Sequence, residues 1–96
     1  MSEKIYYIND KEQANFVAPY VHIYGVRSLD GQLDVAVYSD SSVVELSVNG
    51  RLLCRQKNDS GAFDFQLDIP DGKAVIRASS REQPNVYDEV STFISE

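Results

Sequence analysis

Apolar and polar residues alternate along most of this chain, which is the period-2 pattern of β-strands with one buried face. The segment 63–69 reads FDFQLDI, so that every second residue is apolar. The segment 33–39 reads LDVAVYS, in which the leucine and the two valines share one face, while Asp34, Ala36 and Tyr38 share the other. Both segments predict strands that pack one face on a common core.

The segment 43–56, VVELSVNGRLLCRQ, predicts a β-hairpin. Its turn is Asn49-Gly50, and a type I′ turn requires positive φ at both central positions, which Asn and Gly tolerate best. Three apolar residues of the first strand are predicted to face the core: Val44, Leu46 and Val48. We interpret this hairpin as scaffold, because its turn residues are explained by backbone geometry.

The same alternation, together with the turn-forming segments, predicts eight strands. They span residues 4–8, 21–26, 33–39, 43–48, 51–56, 63–69, 73–79 and 86–94. Polar or turn-forming segments lie at 9–15, Asp30-Gly31, Asn49-Gly50, 57–61, Pro70-Asp71-Gly72 and 79–85. Turn signals about every 8–12 residues, with no convincing helix, favour an antiparallel β-sandwich of about 7–8 strands over a parallel sheet, which would need helical crossovers.

Length and charge narrow the possible partners. The chain has 96 residues, 43% of them hydrophobic and 25% charged, so we predict a single globular domain over residues 1–96. The formal net charge is −6, and the nine Lys and Arg residues are scattered along the chain. A nucleic acid or an anionic membrane surface would require a basic patch, so we expect neither as a partner.

The cellular compartment is only weakly indicated. No apolar run approaches the roughly 20 residues of a membrane span, and the opening segment MSEK does not resemble a signal peptide. Cys54 is the only cysteine, which excludes an intrachain disulfide and a cysteine-based metal cage. These features slightly favour the cytoplasm, although a piece of an exported protein would fit them almost as well.

Residues with catalytic potential are few. His22 is the only histidine, and neither it nor Cys54 lies in a recognisable nucleophile or metal motif, so both are interpreted as structural. The acidic residues of segment 63–72 alternate on the face predicted to meet solvent. A calcium ion between loops is the alternative interpretation, but an EF-hand ligand order is absent. We therefore predict no catalytic residue, no metal and no cofactor.

Tyrosine is the one enriched residue type with a functional meaning. Three of the six tyrosines are predicted to form an exposed, coplanar platform on which a sugar could stack: Tyr6, Tyr20 and Tyr24. Ordinary packing is the competing interpretation, because Tyr is favoured in strands and the chain has no Trp.

The order of the segments resembles a known family. APYVHIYG, LDVAVYSDSSVVELSVNGRLL, FDFQLDIPDGKAVIRA and YDEVST follow one another over residues 17–92. They resemble the C-terminal immunoglobulin-like β-sandwich domain of bacterial β-galactosidases, in glycoside hydrolase family two. Cys54 stands where that family often has Gly, Phe65 where it often has Trp, and a Trp before Pro19 is lacking.

This resemblance implies a function without chemistry of its own. In that family the catalytic glutamates belong to a central (β/α)₈ barrel, for which this chain is too short. The resemblance therefore implies a non-catalytic accessory domain that packs on the barrel, on other domains or on other subunits. A carbohydrate-binding module that uses the tyrosines, an adhesin-like repeat and an autonomous enzyme are the alternatives, the last being the least favoured.

Overall fold

A computed structural model describes residues 3–8, 18–29, 32–68 and 72–94, and residues 3–8 only as a strand. These residues form eight strands: β1 (Glu3–Ile8), β2 (Val21–Leu29), β3 (Gln32–Ser39), β4 (Val43–Val48), β5 (Arg51–Lys57), β6 (Ala62–Leu67), β7 (Gly72–Ser80) and β8 (Tyr87–Ile94). All the pairings between them are antiparallel. Within these ranges, no helix is long and apolar enough to cross a membrane.

The strands form two four-stranded sheets that pack face to face. Sheet A has the order β1-β2-β3-β6, and sheet B has the order β5-β4-β7-β8. The chain changes sheet after β3, after β5 and after β6, so that β3 pairs with β6 in one sheet and β4 with β7 in the other. This Greek-key connectivity is that of immunoglobulin-like sandwiches, and it confirms the predicted all-β antiparallel fold.

One apolar core fills the space between the sheets. Val44 and Leu46 of sheet B are fully buried and Val48 is 6% exposed, as the alternation predicted. Phe63 and Phe65 of sheet A are each 2% exposed. Burying side chains of this size stabilises the fold by roughly 1.5–3 kcal/mol each before the entropy of ordering them is subtracted. The core therefore depends on the same residues that produce the period-2 pattern.

The β4–β5 hairpin has the predicted turn. Asn49 has a φ of 53° and Gly50 a φ of 83°, so both central residues adopt positive φ. Asn49 also fixes the turn to strand β7: its N–H donates to the carbonyl of Val75 at 2.9 Å, and its Oδ1 accepts the N–H of Val75 at 2.9 Å. This supports the interpretation of the hairpin as scaffold.

Two polar side chains cover backbone groups at the sides of the sandwich. On one side, the amide of Gln56 in β5 donates to the carbonyl of Asp64 at 2.8 Å and accepts its N–H at 3.2 Å. On the other side, Oδ2 of Asp88 in β8 accepts the N–H of Ile23 in β2 at 2.9 Å. These bonds satisfy backbone groups on two strands of sheet A.

The largest difference from the predicted boundaries is in β2, which continues to Leu29 rather than ending at Val26. Pairing explains it, because Arg27 lies opposite both Ile5 of β1 and Asp34 of β3, and these ladders hold a polar segment extended. The predicted loop 9–15, the Asp30-Gly31 turn and residues 69–71 lie outside the described residues.

Candidate functional site

The outer face of sheet A carries a group of residues that we call the carboxylate–tyrosine cluster: Tyr24, Arg27, Asp34, Tyr38 and Asp64. Strand register brings them together. Arg27 of β2 lies opposite Asp34 of β3, and Asp64 of β6 lies opposite Ala36, two residues further along β3. Residues two apart on a strand share a face, so these polar side chains project from the same side of the sheet.

Two carboxyl groups of this cluster, those of Asp34 and Asp64, lie within hydrogen-bonding reach of each other. The side chain of Asp34 is only 10% exposed, and its Oδ2 accepts from Nε of Arg27 at 3.1 Å. A hydrogen bond to Asp34 raises the pKa of Asp64 to about 6, with burial and repulsion from the Asp34 charge acting in the same direction and Arg27 opposing them. Below about pH 6, Asp64 is protonated and can donate to Asp34, whose second oxygen is inaccessible to solvent and has no other partner among the described residues.

The two tyrosines of the cluster stack on each other. Their ring centroids are 4.0 Å apart and the planes differ by 10°. Burial raises the pKa of Tyr24 to about 12, and a hydrogen bond with Tyr38 and the charge of Asp64 add to the shift. Tyr24 is therefore a neutral phenol at physiological pH, with one ring face covered by Tyr38.

A second candidate lies at one end of the sandwich, where segments 18–20, 39–42, 58–61 and 80–83 meet. Two open clefts there, each of about 210 Å³, share Asp40 and Ser41. We call them the loop-end clefts. Tyr20 lines one of them and Pro19 the other, and none of the lining residues is Lys or Arg. Their surface is polar and acidic.

A chain of hydroxyl groups holds the walls of these clefts. Ser80 Oγ donates to Ser41 Oγ at 3.0 Å, and Ser39 Oγ accepts the N–H of Ser41 at 3.0 Å. The hydroxyls of Ser42 and Ser41 each donate to one carboxylate oxygen of Glu82 at 2.7 Å, and these bonds lower the pKa of Glu82. Glu82 is therefore a charged residue fixed by two adjacent serines.

Two of the three tyrosines of the predicted platform, Tyr20 and Tyr24, lie at different sites. Tyr20 is half-buried at a loop-end cleft, its N–H bonded to Asp40 Oδ1 at 2.9 Å. Tyr24 is half-buried on sheet A and stacks on Tyr38, which the prediction did not include. The side chain of Tyr6 lies outside the described residues, so a role for the three together stays a prediction.

His22 and Cys54, the two remaining candidates, lie where pairing and packing explain them. Nδ1 of His22 lies 3.7 Å from Asp88 Oδ2, and its side chain is 15% exposed. Cys54 is half-buried against the core, and burial raises the pKa of its thiol, which disfavours the reactive thiolate. Over the described ranges, no group of three or more His, Cys, Asp or Glu residues is placed to hold a metal ion.

Several apolar side chains of sheet B are exposed. Phe93 in the edge strand β8 is 69% exposed, and Tyr87 in the same strand is 47% exposed. At the opposite edge, Leu52 and Leu53 of β5 are 50% and 41% exposed, where a register shift interrupts the pairing of β5 with β4. Both edges of this sheet therefore carry apolar area.

Comparison with known proteins gives a similarity to a solved structure. No family model and no curated protein matches the sequence. Among solved structures, the chain is similar to the FMN-binding β-glucuronidase from Facaelibacterium prausnitzii L2-6, with 26% sequence identity and a TM-score of 0.66. The similarity covers 79% of this chain and 12% of that one. The chain therefore resembles a small β-domain of a much longer glycoside hydrolase.

Proposed function

We propose that this chain is a non-catalytic accessory domain of a glycoside hydrolase of family two, similar to the C-terminal β-sandwich of β-galactosidases, and that it acts by packing on neighbouring domains or subunits. The observation that carries the proposal is the coverage: most of this chain matches a small fraction of a β-glucuronidase. The sequence segments that resemble the β-galactosidase domain support the finer assignment. That the chain belongs to a longer protein that hydrolyses a glycoside is itself part of this proposal.

The geometry of the carboxyl groups supports the absence of catalysis. Glycoside hydrolases place their two carboxyl groups about 5–5.5 Å apart in retaining enzymes and about 6.5–9.5 Å apart in inverting ones, so that the sugar fits between them. Asp34 and Asp64 instead hydrogen-bond to each other, and Asp34 is buried. No sugar can enter between two carboxyl groups in direct contact.

The exposed apolar residues of sheet B support a role in packing. Phe93, Leu52 and Leu53 would each lose exposed apolar area if another domain covered the edges of that sheet. Arg51, the first residue of β5 and a neighbour of Leu52, adds a positive charge to this edge within an acidic chain, whereas Arg55 of the same strand is paired with Glu45. An acidic surface of a neighbouring domain would complement this edge.

Hydrolysis assays test the first half of this proposal. The chain should release no nitrophenol from nitrophenyl β-galactoside or nitrophenyl β-glucuronide above the uncatalysed rate. Saturable hydrolysis that is lost on substituting Asp34→Asn would contradict the accessory role.

Sedimentation tests the second half. At high concentration the isolated chain should associate weakly through its uncovered edges, and Phe93→Ser should weaken that association more than Ser91→Ala, a change on the same strand and face. Association that does not depend on Phe93 would remove the β8 edge from the proposal.

A second candidate function is carbohydrate binding through tyrosine. The specific observation in its favour is that Tyr20 lines a cleft with carboxylate, amide and hydroxyl groups, which are the partners that sugar hydroxyls require. The flavin named for the β-glucuronidase is not assigned to this chain, because the loop-end clefts lack a basic side chain for its phosphate.

A further inference from the structure

We propose that the loop-end clefts form a binding site for one uncharged sugar residue, with Tyr20 supplying the apolar contact and Asp40 and Asp59 accepting hydrogen bonds from the sugar hydroxyls. This inference rests on the second candidate function and gives it a location, a ligand charge and residue roles. It is independent of the accessory role.

The first argument is that the walls are already fixed. Glu82 is held by two serine hydroxyls, and Asn58 is fixed on both sides, because its Nδ2 donates to the carbonyl of Ala62 at 2.8 Å and its Oδ1 accepts the N–H of Ser60 at 3.1 Å. The backbone N–H of Asn58 also bonds to the carbonyl of Ser42 at 2.9 Å, which ties two of the loops together. A site held in this way loses little conformational entropy when a ligand binds.

The second argument is that acceptor atoms remain available. Asp40 uses Oδ1 for the N–H of Tyr20, and its Oδ2 has no donor in the part of the chain that the structure describes. Asp59 is exposed and has no hydrogen bond or ion pair within the described ranges. Carboxylate oxygens with free lone pairs accept hydrogen bonds from hydroxyl groups, and such charge-assisted bonds are stronger than neutral ones.

The third argument is that charge selects the ligand. Asp40, Asp59 and Glu82 line the clefts without a Lys or Arg among the lining residues. A uronic acid or a phosphate would place a second negative charge beside these carboxylates, whereas a neutral sugar would not. The site should therefore discriminate against glucuronate, although the β-glucuronidase to which the chain is similar takes its name from a glucuronide.

The size of the clefts limits both the ligand and its affinity. At about 210 Å³ each, they are smaller than the roughly 300–1,000 Å³ typical of sites for drug-sized ligands, so one sugar residue is the matching unit. A ligand of that size in an open cleft should bind with a Kd in the millimolar range.

The carboxylate–tyrosine cluster is a weaker place for the sugar. The second oxygen of Asp34 is inaccessible to solvent, so a ligand could not reach it without displacing a neighbour. Tyr24 has one ring face covered by Tyr38. The side chains of the cluster contact one another, whereas the clefts present polar groups to solvent.

The test is an amide NMR titration of the whole chain with methyl β-galactoside and, separately, with sodium glucuronate and inorganic phosphate. The galactoside should give saturable shifts in segments 39–42 and 58–61, and the two anions should give none there at equal concentration. Asp59→Ala should weaken galactoside binding about tenfold, since a charge-assisted hydrogen bond is lost. Asp68→Ala, which removes the same charge outside the clefts, should leave binding unchanged.

Each other outcome has a defined meaning. Tyr20→Phe should retain binding and Tyr20→Ala should lose it. Equal binding by both variants would contradict the apolar contact assigned to Tyr20. Shifts confined to Tyr24 and Tyr38 would overturn this location while keeping sugar binding as a function. Glucuronate binding in the clefts would overturn the charge argument, and a folded spectrum without galactoside shifts up to about 100 mM would overturn both the site and the sugar-binding candidate.

Discussion

The outer faces of the two sheets use charged residues in different ways. On sheet B, Arg55 pairs with Glu45 at 2.9 Å, and Arg77 pairs with Glu89 at 3.2 Å while lying 4.0 Å above the ring of Tyr87. Both residues of the Arg77–Glu89 pair are more than two-fifths exposed. On sheet A, the Arg27–Asp34 pair places a carboxylate that is 10% exposed beside a second carboxyl group.

This difference shows that the number of ion pairs is a poor guide to their energetic importance. The charges of the Arg77–Glu89 pair are solvated and screened, so either partner could return to water at little cost. Asp34 cannot, because it is buried and its Oδ2 is paired with Arg27, while Asp64 beside it is a second acid. We therefore expect the polar face of sheet A to contribute to the free energy of unfolding, whereas the charged residues of sheet B mainly keep that face hydrated.

The largest expected effect comes from the arginine of sheet A. Arg27→Met keeps much of the aliphatic chain but leaves Asp34 without its cation, and we expect a loss of about 2 kcal/mol at pH 7, between the values for exposed and buried pairs. Urea denaturation would measure it. The loss should be smaller at pH 4, where Asp64 is protonated and no longer adds a negative charge beside Asp34.

The matched change on sheet B is Arg77→Met. It should cost less than about 1 kcal/mol, because its partner Glu89 is solvated. Double-mutant cycles with Asp34→Asn and Glu89→Gln would separate each pair from other contacts of the arginines. Equal coupling energies in the two cycles would remove the distinction between the faces.

Sheet B should instead depend on its turn. Gly50→Val places a β-branched residue at a φ of +83°, and we expect a loss of about 1–2 kcal/mol from backbone strain. An added Cβ would meet no atom within 4 Å, so steric overlap is not the cause. Gly50→Asn is the control, since Asn tolerates positive φ. An unchanged denaturation midpoint for the valine variant would contradict the role assigned to the turn.

The sequence predicted the scaffold better than the polar surface, and the reason is physical. Val44 and Leu46 obey a local period, and Asn49-Gly50 obeys local turn geometry, so each could be inferred from its neighbours. The contact between Asp34 and Asp64 depends on the pairing of β3 with β6, which no local pattern reveals. A visible hint was Asp34 itself, an acid inside an apolar segment, but its partners lie on other strands.

The sites of the tyrosines illustrate the same limit. Tyr20 and Tyr24 have the same parity in the sequence, and the prediction placed both on one platform. A register shift between Ile23 and Gly25 disturbs that alternation, and a bulge of this kind cannot be located from the residues alone. The loop-end clefts also combine four segments that are distant in sequence, so their assembly was not foreseeable.

The effect that is most diagnostic for the two faces is the pH dependence carried by Asp64. Its pKa is raised to about 6 in the folded protein from an ordinary value of 3.8, so between these values the folded state holds a proton that the unfolded state has released. The contribution to stability is therefore fully present below about pH 3.8 and declines as pH rises through about 6. After allowance for solvent exposure, the decline should be about 1 kcal/mol.

Asp64→Asn abolishes the titration, so the free energy of unfolding of the parent chain minus that of the variant should fall by this amount between pH 4 and pH 7. Asp68→Asn removes a carboxylate near the end of the same strand without touching Asp34, and it should not reproduce the fall. A difference that stays constant across this range would mean that Asp64 gains no proton on folding, and the coupling assigned to the carboxyl groups of Asp34 and Asp64 would then be wrong.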